Sequence, residues 1–367
     1  MRTLLLFDGL GGNQAGLLAS LRELSGRPEN QAYFQTVFTA LNETLEYAGA
    51  ELETAYLPAG LPLKQWLEPM AEISAANWSE SVVAGILVHV QQLCRLQPTE
   101  CGADPSVVAS FGHSIGLQAA LVAGLRIRRL DQFLVTASSS LKLVLLSLLR
   151  ARHLTAGDQP DPAVVERYLT TADKARTPSP MASVTGLPRA ELQQLVTRYN
   201  DEAARRPITV SLANTPTAQV LSGTPADLLD LHFSSLSGAA AQWAFLPNTI
   251  PFHSDRLGPA VQQVRDRDLD FIGPLPAPHD LAVPVYATDG PRNLQHSADL
   301  ADEYLEQVFV RPIDWPPAAV HAVGDAKAEL VVDCGPGAAA RRFTRECLRD
   351  DRSVRFESIQ QFSRRVR

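Results

Sequence analysis

The chain has 367 residues, 45% of them hydrophobic, enough to fill the core of one large α/β domain with a smaller one appended, which excludes overall disorder. A formal net charge of -7 excludes the basic stripe of a nucleic-acid binder and favours a small-molecule or protein partner. The four cysteines, Cys94, Cys101, Cys334 and Cys347, form no C-x-x-C pair and have no histidine at ligand spacing, so neither a metal nor a redox pair is indicated and a reducing cytosol is expected.

The apolar run from Thr3 to Phe7, closed by Asp8-Gly9, reads as a buried strand entering the glycine-rich turn Gly9-Leu10-Gly11-Gly12. It is too short for a signal-peptide core, and no later segment is expected to reach membrane-spanning length, so a cytoplasmic protein off the membrane is expected. Apolar residues recur at helical spacing over 33–48 and 80–96, with Ser79 or Ser81 available to cap the second helix. Residues 106–111 form a second strand, followed at once by Gly112-His113-Ser114-Ile115-Gly116 and an Ala-rich helical segment over 117–125. Further strands are expected at 208–213, 218–222, 283–287 and 328–333, with helices near 298–308 and 337–348. Strands alternating with helices imply a largely parallel sheet. The Pro- and Gly-rich stretch 155–180 marks a domain boundary, and the helix-like segment after Pro188 belongs to a small α+β unit.

A serine hydroxyl is a poor nucleophile at neutral pH and needs both a base for its proton and donors for the developing oxyanion. A G-x-S-x-G turn between strand and helix answers the structural half of that requirement: its glycines allow a sharp elbow that exposes Oγ and aims free N–H groups at the reacting carbonyl. The pentapeptide alone also suits an α/β-hydrolase, so the base must decide. Of the eight histidines, His89 lies on an apolar helix as a core or pocket residue, and His253 stands apart in Asn248-Thr249-Ile250-Pro251-Phe252-His253-Ser254.

With these residues the chain resembles the malonyl-CoA:acyl-carrier-protein transacylase family and the acyltransferase domains of polyketide synthases. Phe7-Asp8-Gly9-Leu10-Gly11-Gly12-Asn13 is similar to that family's F-P-G-Q-G-x-Q start, and Gly-His-Ser-Ile-Gly to its nucleophile motif. Leu212-Ala213-Asn214 with Val220-Leu221-Ser222-Gly223 resembles its A-N…V-x-S-G segment, and Pro-Phe-His-Ser its histidine motif. Val310-Arg311-Pro312-Ile313-Asp314-Trp315 and Asp333-Cys334-Gly335-Pro336-Gly337 take the places of P-V-R-W and E-x-G-P-G.

The resemblance implies an α/β-hydrolase-like large subdomain with a parallel sheet, residues 1–150 and 207–367. A small ferredoxin-like α+β subdomain, residues 151–206, would be inserted between, with an insertion at about 141–180. It implies a ping-pong S-acyltransferase without bound cofactor, in polyketide or fatty-acid biosynthesis. Ser114 would take the acyl group from a CoA or carrier-protein thioester and yield it to the phosphopantetheine thiol of an acyl carrier protein, with His253 as base. The backbone N–H groups of Leu10 and Ile115 would form the oxyanion hole and the Arg311 carbonyl would orient His253. His113, Ser139, Asn214, Ile250 and Phe252 would line the substrate pocket, and a monomer is expected.

Family members that handle carboxylated acyl groups place an arginine about 25 residues after the nucleophile, because a guanidinium pairs with a carboxylate in bidentate fashion. Here that count falls on Ser139, and no arginine lies between Arg129 and Arg150. An uncharged acyl group is therefore expected, unless a local shift brings in Arg126, Arg128 or Arg129. Arg126, Arg128, Arg129, Lys142, Arg150 and Arg152 face a single acid, Asp131, over 126–152, a basic patch able to steer an acidic carrier protein. Two alternatives stay open: an acyl-carrier-protein hydrolase of the same fold, and an inactive scaffold homologue, suggested by Asp8, Leu10 and Leu117 at motif positions.

Overall fold

The computed structural model describes all residues except 11–13, 50–51, 53–55, 58–59, 99–103, 156–160, 172–175, 203–205, 237–240, 350–352 and 367. Gly11, Gly12 and Asn13 of the opening motif, Cys101, and Gly157 and Pro160 of the proline-rich stretch fall outside the described residues.

The first strand, β1 (Thr3–Phe7), is buried along its whole length, as expected of a largely apolar run sandwiched on both faces. It lies between β2 (Val107–Gly112) and β9 (Leu330–Asp333), and the sheet is completed by β7 (Val285–Tyr286) and β10 (Arg355–Ser358) in the order β10-β9-β1-β2-β7, with every pairing parallel. Parallel strands need crossovers, and helices supply them. Gln31–Ala48 packs on Leu130–Leu154, which also packs on Ser81–Cys94, and Gly116–Gly124 covers β1 and β2.

The second sheet has the order β6-β3-β5-β4-β8 and is antiparallel except where β4 meets β8. Its strands are β3 (Met181–Thr185), β4 (Thr209–Thr215), β5 (Ala218–Ser222), β6 (Gln242–Phe245) and β8 (Ile313–Asp314). They surround a separate apolar cluster that includes Tyr168, Val184, Leu192, Tyr199, Leu221, Leu228 and Phe245. The chain folds as a large α/β subdomain around the parallel sheet, carrying a small ferredoxin-like α+β one around the second sheet. The division expected at residue 206 cuts through the small sheet, because the β4–β5 hairpin and β6 pair with β3 on its other side. Inside the stretch read as a boundary, Pro162–Thr171 forms a helix, and its Tyr168 is buried in the small core.

Leu130–Leu154 runs unbroken for 25 residues, so the apolar Leu141–Leu149 run is the middle of one helix. By length and composition it could cross a membrane, contrary to the expectation that no segment reached that length, but 67% of its most apolar window is buried inside the fold. Most of the basic residues over 126–152 are paired within the fold. Arg126 donates to the Asp104 carbonyl, Arg129 pairs with Asp131, Lys142 with Glu43 and Arg152 with Glu80. Arg150 forks onto both oxygens of the fully buried Asp268 at 3.1 and 2.9 Å. Lys142, Arg150 and Arg152 thus tie this apolar helix to its neighbours, while Arg128 and Arg129 at its start are exposed. Arg150→Ala should therefore lower stability by about 3–5 kcal/mol in denaturant titration, since it strands a buried carboxylate. A loss below about 0.5 kcal/mol would mark Arg150 as an ordinary surface charge.

Candidate active site

The turn after β2 is shaped by close packing. A Cβ on Gly112 would lie 2.2 Å from the Gly116 carbonyl oxygen, and one on Gly116 2.6 Å from that of Asp8, so neither position admits a side chain. Between them Ser114 adopts φ = +53°, the left-handed region that non-glycine residues avoid unless the surroundings enforce it. The strained serine stands at the C-terminal edge of the parallel sheet, where the helix Gly116–Gly124 begins. The Ile115 and Leu10 backbone N–H groups have no hydrogen-bond partner among the described residues, and the turn at Gly9 lies against His113 and Ser114.

His253 arrives from the loop after β6, also at positive φ (+57°). Its Nε2 is 2.8 Å from Ser114 Oγ, and its Nδ1 is 3.1 Å from the Arg311 carbonyl oxygen. A carbonyl can only accept, so Nδ1 carries the proton and the Nε2 lone pair faces the serine hydroxyl. The loop is pinned by Ser222 Oγ donating to the Phe252 carbonyl and by Ser254 N–H donating to the Phe309 carbonyl. The Arg311 side chain is in turn held by Asp289 and Glu303. Burial lowers the His253 pKa to about 3; nearby His113 adds to the fall and the Arg311 carbonyl opposes it. The imidazole is neutral around pH 7, the form a base requires.

His113, beside the serine, points the other way: its Nε2 meets Asn214 Oδ1 at 2.8 Å, linking the large sheet's turn to β4 of the small sheet. Trp315 supports the turn from below, stacked on Phe111 with centroids 4.2 Å apart and lying 4.8 Å from the His113 ring. Ile250 and Phe252 are both buried next to His253.

Ser139 and Ser140 are neighbours on the long helix and meet different groups. Ser139 is buried, and a Cβ on Gly273 would lie 3.7 Å from its hydroxyl. Ser140 accepts from Gln118 Nε2 at 3.1 Å and bonds His89 Nε2 at 2.8 Å. Gln118 lies on the nucleophile helix, one turn beyond Ser114. Ser140 thus joins the long helix to Gln118 and His89. His89 is fully buried and its pKa is lowered by that burial to about 3, so this cluster is uncharged.

Sequence reasoning missed Gln92, whose side-chain amide donates to the Asp8 carbonyl at 2.7 Å and the Gly335 carbonyl at 2.9 Å. It also missed the role of Asp8, whose carboxylate accepts from the N–H groups of Gly9, Ala339 and Ala340. Asp8 caps the helix Ala339–Cys347 and fixes the turn that lies against the elbow. Polar residues at His89, Gln91 and Gln92 on an otherwise apolar helix were the available signal. The Ser81 hydroxyl, expected as a cap, instead accepts from the Thr249 N–H in the histidine loop, and Glu80 caps the helix. Among the described residues no group of His, Cys, Asp and Glu is placed to hold a metal.

Residues 6–253 match the family described as "Starter unit:ACP transacylase in aflatoxin biosynthesis". The chain belongs to that family. Relatives in sequence include the fatty acid synthase subunit beta of Saccharomyces cerevisiae, 24% identical across 91% of this chain and 18% of that protein. The fatty acid synthase beta subunit stcK of Emericella nidulans is 33% identical across 44% of this chain and 9% of its own length. The chain therefore spans less than a fifth of these relatives. In fold it is similar to an acyl-carrier-protein S-malonyltransferase from Burkholderia pseudomallei, with a TM-score of 0.62, 18% identity and coverage of 98% of this chain and 96% of that one. The acyltransferase domain from the second module of the salinomycin polyketide synthase has a TM-score of 0.66 at 18% identity, covering 97% and 68%.

Protonation of Nε2 removes the base, so activity is present above the folded pKa and lost as pH falls through it. With His253 held far below the ordinary imidazole value, kcat/KM for a thioester should stay flat between about pH 7 and 5. An acid limb centred near 6.5 would contradict the burial account.

Proposed function

We propose that the chain is an acyltransferase in which Ser114 takes an acyl group from a CoA or carrier-protein thioester and passes it to the phosphopantetheine thiol of an acyl carrier protein. The observation that carries this reading is the line from Ser114 Oγ through His253 to the Arg311 carbonyl, seated on a strained elbow. His253 accepts the hydroxyl proton as Oγ attacks the thioester carbonyl, and the tetrahedral oxyanion is met by the Ile115 and Leu10 N–H groups. The protonated imidazole returns its proton to the departing thiolate. In the second half-reaction the same nitrogen deprotonates the incoming thiol, which attacks the acyl-Ser114 ester and frees the hydroxyl. A carbonyl suffices to orient the histidine, since what is needed is the Nδ1–H tautomer.

The cargo is uncharged. Between Arg129 and Arg150 the long helix carries no arginine, and where it meets the helix after Ser114 the bonded groups are the neutral Ser140, His89 and Gln118. A carboxylate buried there would lack a cation. His113 and Asn214 support the elbow, and Ile250 and Phe252 give the pocket apolar walls. The names of the sequence relatives favour fatty-acid or polyketide assembly. Both reacting residues come from one chain, so a monomer suffices, and carrier proteins and CoA place the reaction in the cytosol.

Intact mass after incubation with acetyl-CoA, longer neutral acyl-CoAs and malonyl-CoA tests this. A neutral acyl adduct on Ser114 is expected, with Ser114→Ala abolishing it and His253→Ala slowing it at least about a thousandfold. Efficient malonylation alone would overturn the cargo assignment. Release of free acid at the same rate with and without carrier protein would make the chain a hydrolase.

A further inference from the structure

The Arg311 carbonyl that receives the His253 Nδ1–H ends a segment of uncommon backbone. The helix Leu300–Leu305 runs into a turn of π-helix, Glu306–Val310, and the Arg311 N–H closes that turn on the Glu306 carbonyl at 2.7 Å. Such wide turns are rare and gather at functional sites. The histidine loop hangs on this one by two carbonyls: Phe309 receives the Ser254 N–H and Arg311 receives the imidazole. What fixes the turn therefore fixes the base.

A single carboxylate spans it. Glu303 Oε2 accepts from Gln307 Nε2 at 2.8 Å, inside the turn, and from Arg311 Nη1 at 3.2 Å, just past its end. Gln307 is fully buried, and its side-chain oxygen is taken by the Thr288 N–H at 2.7 Å. Arg292 donates to both oxygens of Glu303, at 3.0 and 3.2 Å, and to both of Asp289, at 2.8 and 2.9 Å. Asp289 meets the arginines, whereas Glu303 is, among the described residues, the side chain that joins both Gln307 and Arg311. Burial would raise the Glu303 pKa, but Arg292, Gln307 and Arg311 outweigh it and hold the carboxyl below its ordinary value. It is ionised wherever the base is expected to function.

We propose that Glu303 is a positioning residue for acyl transfer: its carboxylate locks the 306–311 turn, keeping the Arg311 carbonyl on His253 Nδ1 and the Nε2 lone pair on Ser114 Oγ. The inference rests on the acyltransferase reading above. Glu303 touches no reacting atom and acts through the Arg311 main chain. A carbonyl selects the Nδ1–H tautomer only while its distance and direction to the ring hold. A main-chain acceptor has no rotamer of its own to be packed in place, so the groups behind it must set its position.

Glu303→Gln tests this in the full chain, since it keeps the shape of the side chain while turning one acceptor oxygen into a donor that faces donors. The kcat for acylation of Ser114 should fall about ten- to a hundredfold, the loss typical when the outer partner of an oriented histidine is removed, with KM for the thioester moved less than about twofold. Nitrogen-15 NMR at pH 7 should show an Nε2–H population in His253 that the parent lacks. Arg311→Met, which keeps the carbonyl and cuts its tether, should shift the same signals. The double variant should lose less than the product of the single losses, because both act through one carbonyl. An unchanged kcat and tautomer in the two single variants would overturn the proposal. So would a lowered melting temperature with the parent tautomer retained, the mark of a cluster that only holds the fold. The NMR needs no substrate: if Ser114 takes no acyl group from any thioester, the proposed reaction fails while the tautomer still reads the effect of Glu303.

Discussion

The hydrogen bond between Ser114 and His253 joins residues 139 positions apart, and much of the architecture exists to make it possible. Neither residue relaxes into it alone, since both sit at positive φ. The serine is forced up by glycine contacts between the β2 elbow, β1 and the helix that follows. The histidine is held by Ser222 of the small sheet and by Phe309 and Arg311 from the chain beyond it. The pair therefore reports that both sheets and the segment after the histidine are correctly placed at once.

Several departures from the resembled motifs become intelligible once that constraint is recognised. Asp8 at the motif's second position serves as a cap for Ala339–Cys347, and Gln92 ties the same turn to the loop at Gly335. The turn facing the elbow is positioned by main-chain and capping contacts, so it tolerates Leu10 where the family carries glutamine. Trp315 closes the arrangement: β8 enters the small sheet just before it, and its indole stacks beneath β2 of the large one. One aromatic ring thus couples the histidine-orienting segment to the nucleophile strand.

The strand–elbow–helix unit was legible because local chemistry dictates it: a largely apolar run, paired glycines and an Ala-rich helix leave few alternatives. The histidine was legible only through its neighbours Pro251, Phe252 and Ser254, since periodicity says nothing about a loop residue's reach. The small sheet was harder to delimit. Its edge strands β6 and β8 are four and two residues long, too short for an alternating pattern, and β8 is recruited from far along the chain. Composition also records charge without its partners: Arg150 and Arg152 are paired with the buried Asp268 and with Glu80.

The central claim is that His253 is a neutral base whose proton sits on Nδ1, held by a backbone carbonyl. Nitrogen-15 NMR of the imidazole reads this directly in the intact chain. The account predicts the neutral Nδ1–H tautomer at pH 7, persisting to about pH 5, because burial keeps the ring uncharged. An Nε2–H tautomer, or an imidazolium already formed between about pH 6 and 7, the ordinary range for histidine, would contradict it.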